Sequence, residues 1–158
     1  MTPAVNEAKK AKIEHKIHDY HHDPLGESYG REAANKLGID EGRIFKTLVV
    51  SIGGNELAVG VVPVSSMLNM KLIAKVLGSK KASMAKASDV ERTTGYVLGG
   101  VSPLGQKKKL KTIVDLSATE YPTIFVSAGR RGLEIELKPQ DLVSLTKGSF
   151  AELCQKNF

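Results

Sequence analysis

Three stretches hold residues that could do chemistry: the run Ile44-Phe45-Lys46-Thr47-Leu48, the glycine-rich run from Gly95 to Thr112, and the cluster His18, Asp19, His21, His22, Asp23. In a strand, successive side chains point to opposite faces. Ile44, Lys46, Leu48, Val50 and Ile52 would share one face, and Phe45, Thr47, Val49 and Ser51 the other. Lys46 is therefore in phase with the more uniformly apolar set. A lysine there either snorkels to water at the sheet edge or points its ammonium into a cavity. In a cavity, desolvation strengthens its field toward an anionic or carbonyl group.

The stretch Gly95-Tyr96-Val97-Leu98-Gly99-Gly100-Val101-Ser102-Pro103-Leu104-Gly105 presents a serine among glycines. It is a poor nucleophile elbow. The second glycine comes one residue late, and the residue after the serine must lend its N–H to an oxyanion hole. That residue is Pro103, which has no N–H. Gly99 and Gly100 instead offer unhindered backbone, whose amides could bind an oxyanion or a ribose hydroxyl; the plainer alternative is an ordinary tight turn. Lys107, Lys108, Lys109 and Lys111 follow at once. A charge run is usually a solvated face, but beside a glycine cradle it is also a candidate for phosphate-backbone contacts.

The histidine cluster matches no standard metal-ligand spacing, and a strand would turn His21 and His22 to opposite faces. A solvated edge is the expectation, with no metal and no cofactor. Cys154 has no evident base nearby and reads as a surface or packing cysteine.

The elements that must position these residues follow from local signals. Thr2-Pro3 opens a helix to about Ile13. A short strand follows, then a loop broken by Pro24 and Gly26, and a helix from Gly30 to Leu37 stopped by Gly38. FKTLVVSI and LAVGVVPV form a hairpin through Gly53-Gly54-Asn55. Asn69 starts a helix ending at Gly78, and Ser88-x-x-Glu91 matches a capping box. Strands are expected at Tyr96–Leu98, Thr112–Leu116, TIFVSA and LEIEL, with Pro139 opening a last helix. Several gaps between strands are too short for βαβ crossovers, so the expected class is α+β, a mixed and mostly antiparallel sheet with peripheral helices in one domain over residues 1–158.

Composition narrows the function classes. Twenty-three Lys and Arg against 17 Asp and Glu give a net charge of +6, which favours a polyanionic partner without requiring one. Aromatics are 5% with no Trp, so a base-stacking platform is not evident. A single cysteine excludes an intrachain disulfide. The first residues lack a signal-peptide core, and no apolar run approaches a membrane span, so a cytoplasmic protein is expected.

Read together, Met1-Thr2-Pro3-Ala4, Phe45-Lys46-Thr47-Leu48, Thr94 to Lys108, Ile124-Phe125-Val126-Ser127 and Arg131-Gly132-Leu133 resemble the YbaK proteins, bacterial Cys-tRNA(Pro) deacylases of the prolyl-tRNA synthetase insertion-domain superfamily. The resemblance covers nearly the whole chain. It implies a barrel-like mixed sheet wrapped by helices, and trans-editing, the cleavage of the ester joining a wrong amino acid to tRNA(Pro). It implies a catalytic role for Lys46, a substrate pocket of Tyr20, Tyr29, Thr47, Gly99, Gly100, Ser127 and Gly129, and tRNA contacts from Lys107, Lys108, Lys109 and Lys111. The implied mechanism uses no protein nucleophile: the thiol of the bound cysteinyl group attacks its own ester carbonyl. Prolyl-tRNA synthetase is an implied partner. Two alternatives stay open, an Ala-tRNA(Pro) deacylase using water and a non-catalytic tRNA- or synthetase-binding module. The sequence departs from the family's pattern at Tyr29, usually phenylalanine, and at Ser127-Ala128-Gly129, usually Ser-Gly-Gly. If position 128 needs positive φ, Ala128 costs on the order of 1 kcal/mol; if not, its methyl narrows the pocket.

Overall fold

A computed structural model describes residues 1–23 and 29–154, with only the backbone of Tyr29. Pro24 and Gly26 lie outside the described residues. Helix α1 (Pro3–Ala11) starts as its sequence requires, Thr2 Oγ1 accepting the Val5 N–H at 3.2 Å, and ends at Lys12 in the left-handed region. β1 (His15–Asp19) leads to α2 (Tyr29–Leu37). The hairpin of β2 (Phe45–Ser51) and β3 (Leu57–Pro63) is followed by α3 (Met70–Val76), β4 (Ser83–Met84) and α4 (Ala87–Thr94). After the glycine-rich loop come β5 (Lys111–Asp115), β6 (Ile124–Arg130), β7 (Leu133–Leu137), α5 (Pro139–Thr146) and β8 (Ser149–Ala151).

The strands form a three-stranded antiparallel sheet, β1-β7-β6, and a five-stranded mixed sheet, β4-β2-β3-β5-β8, in which β5 runs parallel to β3 and β8. The parallel β3–β5 pair is one that needs a long crossover, which α3, β4, α4 and the loop supply. The sheets meet at an isolated parallel bridge, Ile44 to Phe125, so "barrel-like" describes the architecture only loosely. The main core takes Val5 and Ala8 of α1, Phe45 and Val49 of β2, Val126 and Ala128 of β6, Ile135 and Leu137 of β7, and Leu142 of α5. A second cluster joins Val50, Val62, Ile73 and Leu153, and a third joins Ala33, Ala34, Ile44 and Phe125 beneath α2.

Two expectations fail locally. Tyr96–Leu98 is not a strand. The buried Tyr96 donates its hydroxyl to the Leu104 carbonyl at 2.7 Å, Gly100 N–H closes a turn on Val97 O at 2.9 Å, and Gly95 and Gly99 take φ of +82° and +92°. Hydrogen bonds inside the loop thus replace a ladder. The capping box also fails: α4 begins at Ala87, so Ser88 lies inside its first turn and Lys86, without a side-chain cap, precedes it. The short strands β4 and β8 carry no alternation of their own and depend on β2 and β5 for their pairing.

Candidate active site

Residues directly opposite in adjacent antiparallel strands share a face. In register, β7 Glu134 pairs with His18 of β1 and with Ser127 of β6, and Glu136 pairs with Phe125. Ile135 and Leu137 point into the main core, so this row points away from it, toward α2. The Ile44–Phe125 bridge is parallel, so two residues further along each strand the chain reaches Lys46 and Ser127 on the same face. His18, Glu134 and Ser127 therefore form one row, and the Ile44–Phe125 bridge sets the strand that carries Lys46 alongside it. Tyr20 extends it, its N–H bound to Gly132 O at 2.9 Å and its ring packed on the cluster under α2.

Lys46 emerges between the second and third apolar clusters. It is half-buried and makes no hydrogen bond or ion pair among the described residues. Burial draws its ammonium below the ordinary lysine range; Cys154 opposes the shift, and the nearby Arg31 of α2 adds to it. Arg31 itself is exposed and pairs with Glu41 at 3.5 Å, so Lys46 is the cation of this face whose hydration burial weakens. The ammonium is thus neither fully solvated nor fully enclosed. Arg31 was not legible in the sequence, because only the docking of α2 brings it here.

Ser127 is buried, and its Oγ accepts the Gly129 N–H at 3.1 Å across the bulge where β6 slips register against β7. Gly129 takes φ +112°, while Ala128 has negative φ. Ala128 is therefore unstrained, and its methyl lies in the main core rather than narrowing the pocket. Its carbonyl accepts the Thr2 hydroxyl, so the first helix cap also fixes the bulge.

Other expected pocket residues are placed differently. The Gly100 N–H is used by Val97 O and the Gly129 N–H by Ser127 Oγ, so neither is a free donor. A Cβ at Gly99 would come within 2.6 Å of Arg131 Nε, so the glycine admits that guanidinium, which also approaches His22 Nε2 at 3.3 Å. Thr47 points to the opposite face of β2 from Lys46, buried, with its hydroxyl unpartnered among the described residues. The Tyr29 side chain lies outside the described residues.

Ser102 is fully buried and accepts the Leu104 N–H at 3.2 Å, which makes it a turn residue. Cys154 packs against the second cluster. Burial, and then Asp115, push its thiol up to about 12, so it is no nucleophile at neutral pH. An open cleft of about 670 Å³ adjoins it, walled by Pro63, Ser66, Asp115, Tyr121 and Cys154. The solvated edge expected holds for the exposed Asp19, His21 and Asp23 but not for two histidines: His18 bonds Glu136 at 2.9 Å and His22 bonds the buried Glu32 at 2.7 Å. Lys107, Lys108, Lys109 and Lys111 lie in or beside the loop, all four exposed. Lys111 pairs with Ala58 at the start of β3, whereas Lys46 pairs with Val62 near its end, about 13 Å along the strand. The run and Lys46 therefore lie toward opposite ends of the sheet.

Comparison with known proteins agrees with this frame. Residues 24–145 match the aminoacyl-tRNA editing domain. EbsC of Enterococcus faecalis, provisionally named a Cys-tRNA(Pro)/Cys-tRNA(Cys) deacylase, is 47% identical over 123 residues, covering 78% of this chain and 75% of that one. The multifunctional Ser/Thr-tRNA deacylase ProXp-y of Escherichia coli K12 is 26% identical over 121 residues, 73% of this chain and 72% of that one. A crystal structure described provisionally as a trans-editing enzyme for prolyl-tRNA synthetase shares the fold at TM-score 0.82 and 22% identity, covering 99% of both chains. With the family's match spanning most of its length and nearly half its aligned residues shared with EbsC, this chain belongs to the aminoacyl-tRNA editing domain family.

Proposed function

We propose that this chain is a trans-editing deacylase that releases the amino acid from mischarged tRNA(Pro), with cysteine the leading acyl group. The observation that carries the reading is Lys46, an ammonium without an anionic partner among the described residues, half-buried near the seam of the two sheets, where burial has already weakened its hydration. The kinship with EbsC supplies the substrate class. Ser102 and Cys154 are both tied into structure, so the chemistry falls to the substrate and to positioning.

With a cysteinyl ester, the substrate sulfur adds to its own ester carbonyl and a C–S bond forms. Lys46 stabilises the oxyanion, the ester C–O bond breaks, and the thiol proton ends on the ribose oxygen of the departing tRNA. The cyclic thioester product is then opened by water; that first step is formally an elimination of tRNA. An alanyl ester has no thiol and would need water as the nucleophile. The kinship with ProXp-y, named for Ser and Thr, supports a variable acyl preference within the family. Lys107, Lys108, Lys109 and Lys111 contact the RNA further from its acylated end, and prolyl-tRNA synthetase supplies the choice of tRNA.

The test is a deacylation panel of Cys, Ala, Ser and Thr esters with the purified protein. The cysteinyl ester should be lost fastest. Faster loss of another ester reassigns the substrate, and tRNA binding without loss of any ester makes the chain a binding module.

A further inference from the structure

Glu134 and Glu136 stand two residues apart on the same face of β7, in opposite circumstances. Glu136 accepts the Thr123 hydroxyl at 2.6 Å and the His18 ring N at 2.9 Å, with Arg43 at 3.8 Å. These partners outweigh the effect of its burial and keep its carboxyl below the ordinary range. Glu134 is 4% exposed, and its Oε2 has no hydrogen-bond partner among the described residues. Burial alone pushes its carboxyl up to about 8. Its register neighbours are otherwise engaged: the His18 ring bonds Glu136, and Ser127 Oγ holds the Gly129 N–H. Leaving a buried carboxyl unpaired costs free energy that a purely structural strand would avoid with an apolar residue. Glu134 also lies between His18 and Ser127, on the face that the Ile44–Phe125 bridge sets beside the strand of Lys46.

We infer that Glu134 is the subsite for the α-amino group of the aminoacyl ester, a role that rests on the deacylase reading above. An α-amine is the hydrogen-bonding cation an aminoacyl group carries beside its carbonyl. With the carbonyl held toward Lys46, the amine must face another part of the same face. An α-amino group donates hydrogen bonds that the unpartnered Oε2 of Glu134 can accept. The pair is charge-assisted in the bound state, and a neutral carboxyl waits in the free protein. An acyl group without an amine leaves the carboxyl orphaned, so the site discriminates between amino acids and hydroxy acids by the same penalty that makes Glu134 unusual.

Calorimetric binding of two stable amides of 3′-amino-3′-deoxyadenosine tests this, one carrying cysteine and the other its 2-hydroxy-3-sulfanylpropanoyl counterpart. The wild-type protein should bind the amine at least tenfold more tightly. Glu134→Gln, nearly isosteric with the neutral acid, should reduce that preference below threefold, whereas Glu136→Gln should leave it in place. Equal affinity for both amides, failure of both to bind, or a preference that survives Glu134→Gln would overturn the assignment. An amine preference in a protein that never releases cysteine from tRNA would remove the enzymatic reading and leave the subsite standing. Turnover without the preference would do the reverse.

Discussion

Lys46 and Glu134 have opposite needs, and each makes a residue-scale prediction. Lys46→Ala should slow release of cysteine from Cys-tRNA(Pro) by at least tenfold, about 1.4 kcal/mol, with unchanged circular dichroism; a fully active variant would move the site elsewhere. Glu134 affects stability. Its carboxyl titrates near 4.5 when unfolded and at about 8 when folded, so the folded state holds the extra proton between those values. Stability contributed by the neutral acid is complete at low pH and declines as pH rises from about 4.5 to 8. Glu134→Gln should flatten this decline in a series of thermal melts across that interval; His18 in register with it, and the neighbouring Glu136 and Lys46, are the same in both proteins. The phase of Lys46 was legible from the alternation of β2. Glu134 was not, because Leu-Glu-Ile-Glu-Leu is the pattern of any half-exposed strand, and only tertiary packing buries one of its glutamates with an oxygen unpartnered among the described residues.

At the scale of elements, the glycine-rich loop is held from within. Tyr96, Val101 and Leu104 enter the main core, Ser102 Oγ takes the Leu104 N–H, and Gly105, at φ +65°, lies so close to α1 that a Cβ would stand 2.5 Å from the Pro3 carbonyl carbon. Ser102→Ala leaves a buried N–H without its acceptor and should cost about 1–3 kcal/mol in chemical denaturation, while kcat stays within about twofold. Loss of activity without loss of stability would restore the serine as a reactive group. Pro103 excluded an elbow on chemical grounds, but the strand expected at Tyr96–Leu98 does not form. An apolar triplet between glycines satisfies strand propensity and turn geometry equally, and the Tyr96 hydroxyl's bond to Leu104 decides for the turn. Helix starts were better marked: Thr2 and Asn69 both cap as their side chains require. Ser88 does not, because α4 begins one residue earlier.

Across the whole molecule, the two sheets divide the work. Ser127, Glu134 and Tyr20 lie on or beside the three-stranded sheet and Lys46 on the five-stranded one near their seam, while the lysine run projects about 13 Å away along β3. That separation is longer than one nucleotide, as a polyanion that reaches the site by its end would need. Replacing Lys107, Lys108 and Lys109 by Ala should weaken tRNA binding and lower the salt slope by nearly one for each phosphate no longer neutralised; an unchanged slope would leave those lysines as a solvated face. The pairing of strands within the β2–β3 hairpin was readable from its turn signal. The seam between the sheets was not, since an isolated bridge between Ile44 and Phe125 leaves no periodicity in either strand.

The most direct measurement is the release of radiolabelled cysteine from Cys-tRNA(Pro) by the wild-type protein, with Lys46→Ala and a protein-free control run in parallel. The predicted result is rapid release by the wild type, release slower by at least about tenfold in the variant, and slow spontaneous loss in the control. Release by the wild type no faster than in the protein-free control would contradict the deacylase.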